Sequence, residues 1–121
     1  MKFTLTSNHR YWWPVKVAIP HPDKDKAGEQ IEMEFRMQFE TLPRDEADRI
    51  AERMKGDPTQ VHADLKRVAC DWDENVVDDD GKPVPFSAEA LDQALQISWF
   101  RLALYRAWGA SLVDDAARLG N

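Results

Sequence analysis

Residues 31–40 constrain the fold more than any other stretch of this chain. Ile31, Met33, Phe35, Met37 and Phe39 alternate there with Glu32, Glu34, Arg36, Gln38 and Glu40. A strict period of two gives a strand with one apolar face and one polar face; a helix would need a period near 3.6. A second alternating run precedes it. Trp13, Val15, Val17 and Ile19 share one face, and Trp12, Pro14, Lys16 and Ala18 share the other. Between the runs, Pro20-His21-Pro22-Asp23-Lys24-Asp25-Lys26-Ala27-Gly28 is a loop of turn formers. The pattern therefore predicts an antiparallel hairpin over residues 11–40. Pro14 has no amide hydrogen to give a ladder, so the first strand belongs at a sheet edge. Two strands alone are marginal in water, and their apolar face must be covered.

Helical signals follow the hairpin. Pro43 sits where a first turn begins, Ala47, Ile50, Ala51 and Met54 recur at helical spacing, and Gly56 ends the run. Asp57-Pro58-Thr59-Gln60 reads as a helix start, with an Asp cap, Pro at the first position and Gln three residues after the cap. Val61, Leu65, Val68 and Trp72 then form one stripe, which predicts a helix running to the acidic turn. Ser87 caps a short helix with Leu91, Ala94 and Leu95. From Ile97 the chain is densely apolar through Trp99, Phe100, Leu102, Ala103, Leu104, Tyr105, Ala107 and Trp108. A helix apolar nearly all round is expected to be buried, against its own core or a partner. Gly109 weakens it, and the apolar pattern of Ser111 to Leu119 is expected to continue it. The expected fold class is α+β: an N-terminal antiparallel β-hairpin followed by a bundle of about four α-helices. The 121 residues form one domain, with a hairpin part (11–40) and a helical part (43–119).

Charge is localised. Residues 71–92 carry eight acidic side chains against one base, Lys82, so this segment holds −7 of a net −6 and the remainder is +1. Such a balance offers no footprint for a phosphate backbone, which argues against nucleic acid as a partner. No apolar run approaches the ~20 residues that span a bilayer, so no membrane role is expected. Met1-Lys2-Phe3-Thr4-Leu5-Thr6 lacks the long apolar core of a signal peptide. One cysteine, Cys70, permits no internal disulfide and suits a reducing cytosol.

Catalytic and metal chemistry find little support. A calcium loop fails in both registers of the acidic turn. With Gly81 at position six, Val76 and Ser87 fall at the first and last ligand positions; starting at Asp71, Val76 replaces the glycine and Lys82 the final Glu. Asp80-Gly81 instead reads as the positive-φ corner of a solvated turn. His9, His21 and His62 lack ligand spacing. Cys70 reads as a helix residue, with acidic neighbours that raise a thiol's pKa. Asp71/Asp73 and Asp114/Asp115 have no evident apolar pocket to split their pKa values. The expectation is no catalytic residue, no cofactor and no metal.

The aromatics are the remaining signal. Five tryptophans occur in 121 residues. Trp72, Trp99 and Trp108 lie on helical stripes. Tyr11-Trp12-Trp13 differs, because an alternating strand cannot bury both tryptophans on one face. One of the two is exposed, or covered by a terminal segment or another chain.

One segment has a familiar residue order. Trp72 is followed by Val77-Asp78-Asp79-Asp80-Gly81-Lys82-Pro83-Val84-Pro85-Phe86-Ser87, then a short helix ending Leu95-Gln96-Ile97, then an aromatic-rich helix with Tyr105. This resembles the tail assembly chaperones of long-tailed bacteriophages. The outline is similar too: a polar start, two long strands, a link through Phe39-Glu40-Thr41-Leu42-Pro43, then helices. The likeness covers about 110 residues in outline and is tight over about 15. The resemblance implies a non-enzymatic protein of the bacterial host cytoplasm, encoded by a phage or prophage. It implies binding to the long helical tape measure protein, which is kept soluble while tail tube protein assembles around it. The chaperone is then absent from the mature virion. Family members occur as a short form and a frameshifted longer form, and this chain corresponds to the short one.

A chaperone of this kind needs an exposed apolar groove and solubilising charge elsewhere. Trp12, Trp13, Phe35, Phe39, Trp99, Phe100 and Trp108 are the candidate partner-binding residues. The greasy hairpin face makes self-association a further expectation. Two other readings stand beside this one: another phage head–tail structural or adaptor protein, and a small ligand-binding domain.

Overall fold

The computed structural model describes residues 1–6, 9–56 and 60–112, apart from the side chains of Met54 and Gln60. It is an α+β fold with the element order β1 (Arg10–Pro20), β2 (Gln30–Glu40), α1 (Arg44–Gly56), α2 (Gln60–Val68), β3 (Ala69–Trp72), α3 (Ala88–Leu95) and α4 (Ser98–Ser111). A 3₁₀ turn over Lys24–Lys26 joins β1 and β2, with Asp23 capping its first amides. The predicted N-terminal cap Asp57-Pro58-Thr59 lies outside the described residues, as do Val113 to Leu119.

The hairpin has the expected faces. Val15, Val17, Phe35, Met37 and Phe39 are buried, while Pro14, Lys16, Glu32, Glu34 and Arg36 are exposed. Its register pairs Arg10 with Glu40, Val15 with Phe35 and Ile19 with Ile31. The flanking amides of Thr41 and His21 donate to His9 and Glu29 carbonyls. Hydrogen-bonded pairs alternate along an antiparallel ladder, so the odd residues of β1 bond to β2 and the even ones face the open edge. The sheet order is β1-β2-β3, which puts β1 at that edge. Pro14 is even, so its missing amide costs the ladder nothing. An edge proline also blunts pairing with other chains.

The third strand was not predicted. The stripe Val61, Leu65, Val68 holds for α2, but the helix stops at Val68. Cys70 and Trp72 lie in β3, not on a helix. Gln38 pairs with Asp71 and Phe39 with Ala69, so Cys70 is the extra residue of a bulge. Cys70 is partly buried, and its thiol pKa is raised mainly by burial; Glu40 and Asp71 add to this, and Arg10 and Arg67 oppose it.

The helices tie to one another by charge. Arg53 on α1 bonds the buried Asp64 on α2. Arg67 on α2 reaches Glu40 at 2.9 Å and Glu46 at 3.2 Å. His62 and Lys66 on α2 meet Asp92 on α3 at 2.7 and 3.3 Å. The main core lies between the sheet and the helices, around Phe39, Met37, Ile50, Leu65, Leu91, Leu95 and Leu104. Among the described residues, no helix is long and apolar enough to cross a membrane.

Candidate functional site: an apolar groove at the hairpin tip

The helix α4 leaves part of the hairpin uncovered. Phe100, Ala103, Leu104, Ala107, Trp108 and Ser111 form its inward stripe at helical spacing. Near the start of α4, Phe100 stacks on Phe35, which is paired with Val15. At its end, Ser111 Oγ lies 2.7 Å from Tyr11 Oη. The helix therefore runs antiparallel to β1, from the level of Val15 down to Tyr11. Five residues of β1 extend past Val15 to Pro20, or about 16 Å of strand. Of the inward-facing residues past Val15, Val17 is buried and Ile19 is partly buried.

A groove of about 640 Å³ occupies the gap. Val17, Ile19, Met33 and Phe35 form the hairpin side. Ala90, Gln93 and Ala94 on α3, with Ile97, Trp99 and Phe100, form the opposite side. The end is closed by Val76, Val77, Asp78 and Asp79 of the acidic turn. Among the described residues beyond residue 6, seven large apolar side chains are exposed, and four of them line this one groove: Met33, Val77, Ile97 and Trp99. Scattered exposed apolar residues are ordinary, whereas a clustered set marks an interaction surface.

The wall formed by the acidic turn is firmly built. Trp72 Nε1–H donates to the Val84 carbonyl at 2.7 Å, and the Phe86 ring meets the Trp72 ring edge-on at 5.1 Å. The Val84 amide donates to Val76, and the Asp78 amide to Lys82. Asp78 Oδ1 accepts from the amides of Asp80 and Lys82. Gly81 supplies the corner at φ 77°, as the Asp-Gly step predicts. Asp73 Oδ1 likewise accepts from the Asn75 amide. The carboxylates of Asp73 and Asp78 thus serve the loop's own backbone. Among the described residues, no group of three or more His, Cys, Asp or Glu is placed to hold a metal ion.

The groove's electrostatics are one-sided. Glu34, Asp78 and Asp79 are among its lining residues, and among the described residues no Lys or Arg is. Glu34 belongs to the polar face of β2 by strand alternation, opposite Lys16. The acidic rim is therefore the turn, and Asp79 makes no hydrogen bond or ion pair among the described residues.

The seven candidate contact residues separate into three groups. Trp99 and Phe100 line the groove, Trp99 exposed and Phe100 partly buried. Phe35 lies at its floor but is only 6% exposed. Phe39 and Trp108 are core residues, at 0% and 2%, and do not reach the surface. Their stripes face the sheet–helix interior, which the dense apolar pattern could not distinguish from an exposed face. Trp12 is exposed on the polar side of the hairpin, and Trp13 is partly buried on the other side; neither lines the groove. Within the chain α4 is not buried all round, since Trp99 and Leu102 are exposed. Met33, Ile97 and Val77 were missed as candidates. Met33 belongs to the alternating strand, and only its position beyond the end of α4 sets it apart.

No family model matches the chain, and neither a curated protein nor a solved structure matches it.

Proposed function

We propose that this chain is a phage or prophage tail assembly chaperone. In this reading it binds the tape measure protein in the host cytoplasm and keeps it soluble while tail tube protein assembles around it. It works by binding alone, with no catalytic residue and no cofactor, and it leaves before the virion matures. The observation that carries the reading is the open apolar groove walled by residues 76–84. The segment that resembles the chaperone family is the same segment that builds this wall. Apolar walls give a helical client somewhere to bury its apolar stripe, and the local −7 of residues 71–92 keeps the carrier soluble.

Co-expression with the tape measure protein encoded nearby tests the proposal. The expected result is a tape measure that is soluble only with this chain and co-purifies with it. An insoluble, unbound tape measure would overturn the reading. Detection of the chain in purified virions would favour a head–tail structural or adaptor protein instead.

A further inference from the structure

We infer that the groove at the hairpin tip takes a basic amphipathic helix, with an apolar stripe flanked by Lys or Arg. The inference rests on the chaperone reading for the expectation that the partner is helical, and on the groove itself for the rest. The apolar stripe is called for by Ile19, Met33, Ile97 and Trp99, which present apolar surface on both sides of the cleft. Flanking charge follows from complementarity. The rim carries the Asp78 and Asp79 carboxylates, no described lining residue is basic, and Asp79 is unpaired among the described residues. An acidic helix would meet like charge there, whereas a basic one gains both steering and register.

Other parts of the surface fit such an occupant less well. Trp12 stands on a face lined by Lys16, Glu32, Glu34 and Arg36, which is of mixed charge. The open edge of β1 is interrupted by Pro14, which opposes addition of a strand.

The test uses the full chain and a fluorescein-labelled helical peptide. The probe carries leucines at i, i+3, i+4 and i+7, with lysines on both flanks of that stripe. A control keeps the leucines and replaces each lysine with glutamate. Fluorescence anisotropy should show binding of the basic probe, weakened by added salt, and little binding of the acidic control. Trp99→Ala and Asp79→Lys change exposed side chains, and each should weaken the basic probe by about tenfold or more, the loss expected for a central aromatic anchor or a reversed rim charge. Equal binding of both probes, no binding of either, or indifference to both substitutions would overturn the inference. So would a self-associated chain that Trp99→Ala dissociates, because a second copy would then be the occupant. The two proposals fail separately. A tape measure held by the chain while the probe is ignored sinks the groove assignment alone. A probe held in the groove while the tape measure is ignored sinks the chaperone reading alone.

Discussion

The rings of Phe35 and Phe100 lie 3° from parallel with centroids 5.4 Å apart, and this contact fixes where α4 begins over the hairpin. Trp72 meets the same Phe100 ring edge-on at 6.4 Å, so strand, helix and acidic turn converge on one aromatic cluster. Beyond this contact Val17 is buried, while Ile19 and Met33 line the groove. Offset or edge-on aromatic pairs contribute about 0.5–1.5 kcal/mol beyond the area they bury.

Substitutions at this cluster should separate fold from binding. Phe35→Ala empties a buried site and should destabilise the chain by about 3 kcal/mol, with Phe100→Ala at about 2 kcal/mol because its ring is only partly buried. Trp99→Ala, one residue away and exposed, should change stability by no more than about 0.5 kcal/mol. Urea denaturation of the three variants checks the order. A Trp99→Ala loss as large as that of Phe35→Ala would make Trp99 a packing residue and remove it from the groove's contact surface.

The Trp72 indole holds the acidic turn against the core. Trp72→Phe keeps most of the ring's packing but removes the donor to the Val84 carbonyl. The expected loss is about 1 kcal/mol, as for one hydrogen bond. Amide exchange should speed up at Val76, Asp78 and Val84, whose ladder this bond anchors, and change little within β1 and β2. Unchanged protection across the turn would show that its own backbone bonds suffice.

Gly81 tests the corner itself. A Cβ there would meet nothing within 4 Å, so crowding is not the issue; the φ of 77° is. Gly81→Ala should cost about 1 kcal/mol from backbone strain alone. Gly81→Asn should cost less, since Asn tolerates the left-handed region better. Thermal melts of both variants read the difference, and equal losses would locate the cost in the missing glycine's solvent exposure and not in its φ.

Much of this fold was legible because its signals are local. Alternation over residues 31–40 fixes a strand, Pro14 marks its edge, Asp80-Gly81 marks a corner and Ser87 caps α3, its Oγ accepting from the Ala90 amide. β3 was hidden because Val68 and Trp72 continue the helical spacing of Val61 and Leu65. Over four residues, periodicity cannot outvote a sheet edge that offers β2's free carbonyls and amides. The groove was hidden for a different reason. Met33 and Phe35 are equivalent in the strand pattern, and they differ only in which of them α4 covers. That depends on Phe100 and Ser111 registering against Phe35 and Tyr11, contacts spanning 65 and 100 residues.

Acid should loosen the contact between α2 and α3 before it disturbs the sheet. The Asp92 carboxyl is held below the ordinary aspartate value of about 3.9, first by its hydrogen bond with His62 and then by Lys66. A carboxyl whose folded pKa is depressed binds its proton more weakly in the folded chain than in the unfolded one. Its contribution to stability is therefore present in full above the unfolded value and is lost as pH falls through the folded one. Asp92→Asn removes that contribution at every pH. The urea midpoints of the two proteins should then differ at pH 5 to 7 and converge as pH drops below about 4. Because the Asp92 side chain is only half-buried, added salt should narrow the gap at neutral pH as well. A gap that persists unchanged at pH 2 would mean that Asn disturbs α3 for reasons other than charge, and the His62–Asp92–Lys66 cluster would then be no electrostatic tie at all.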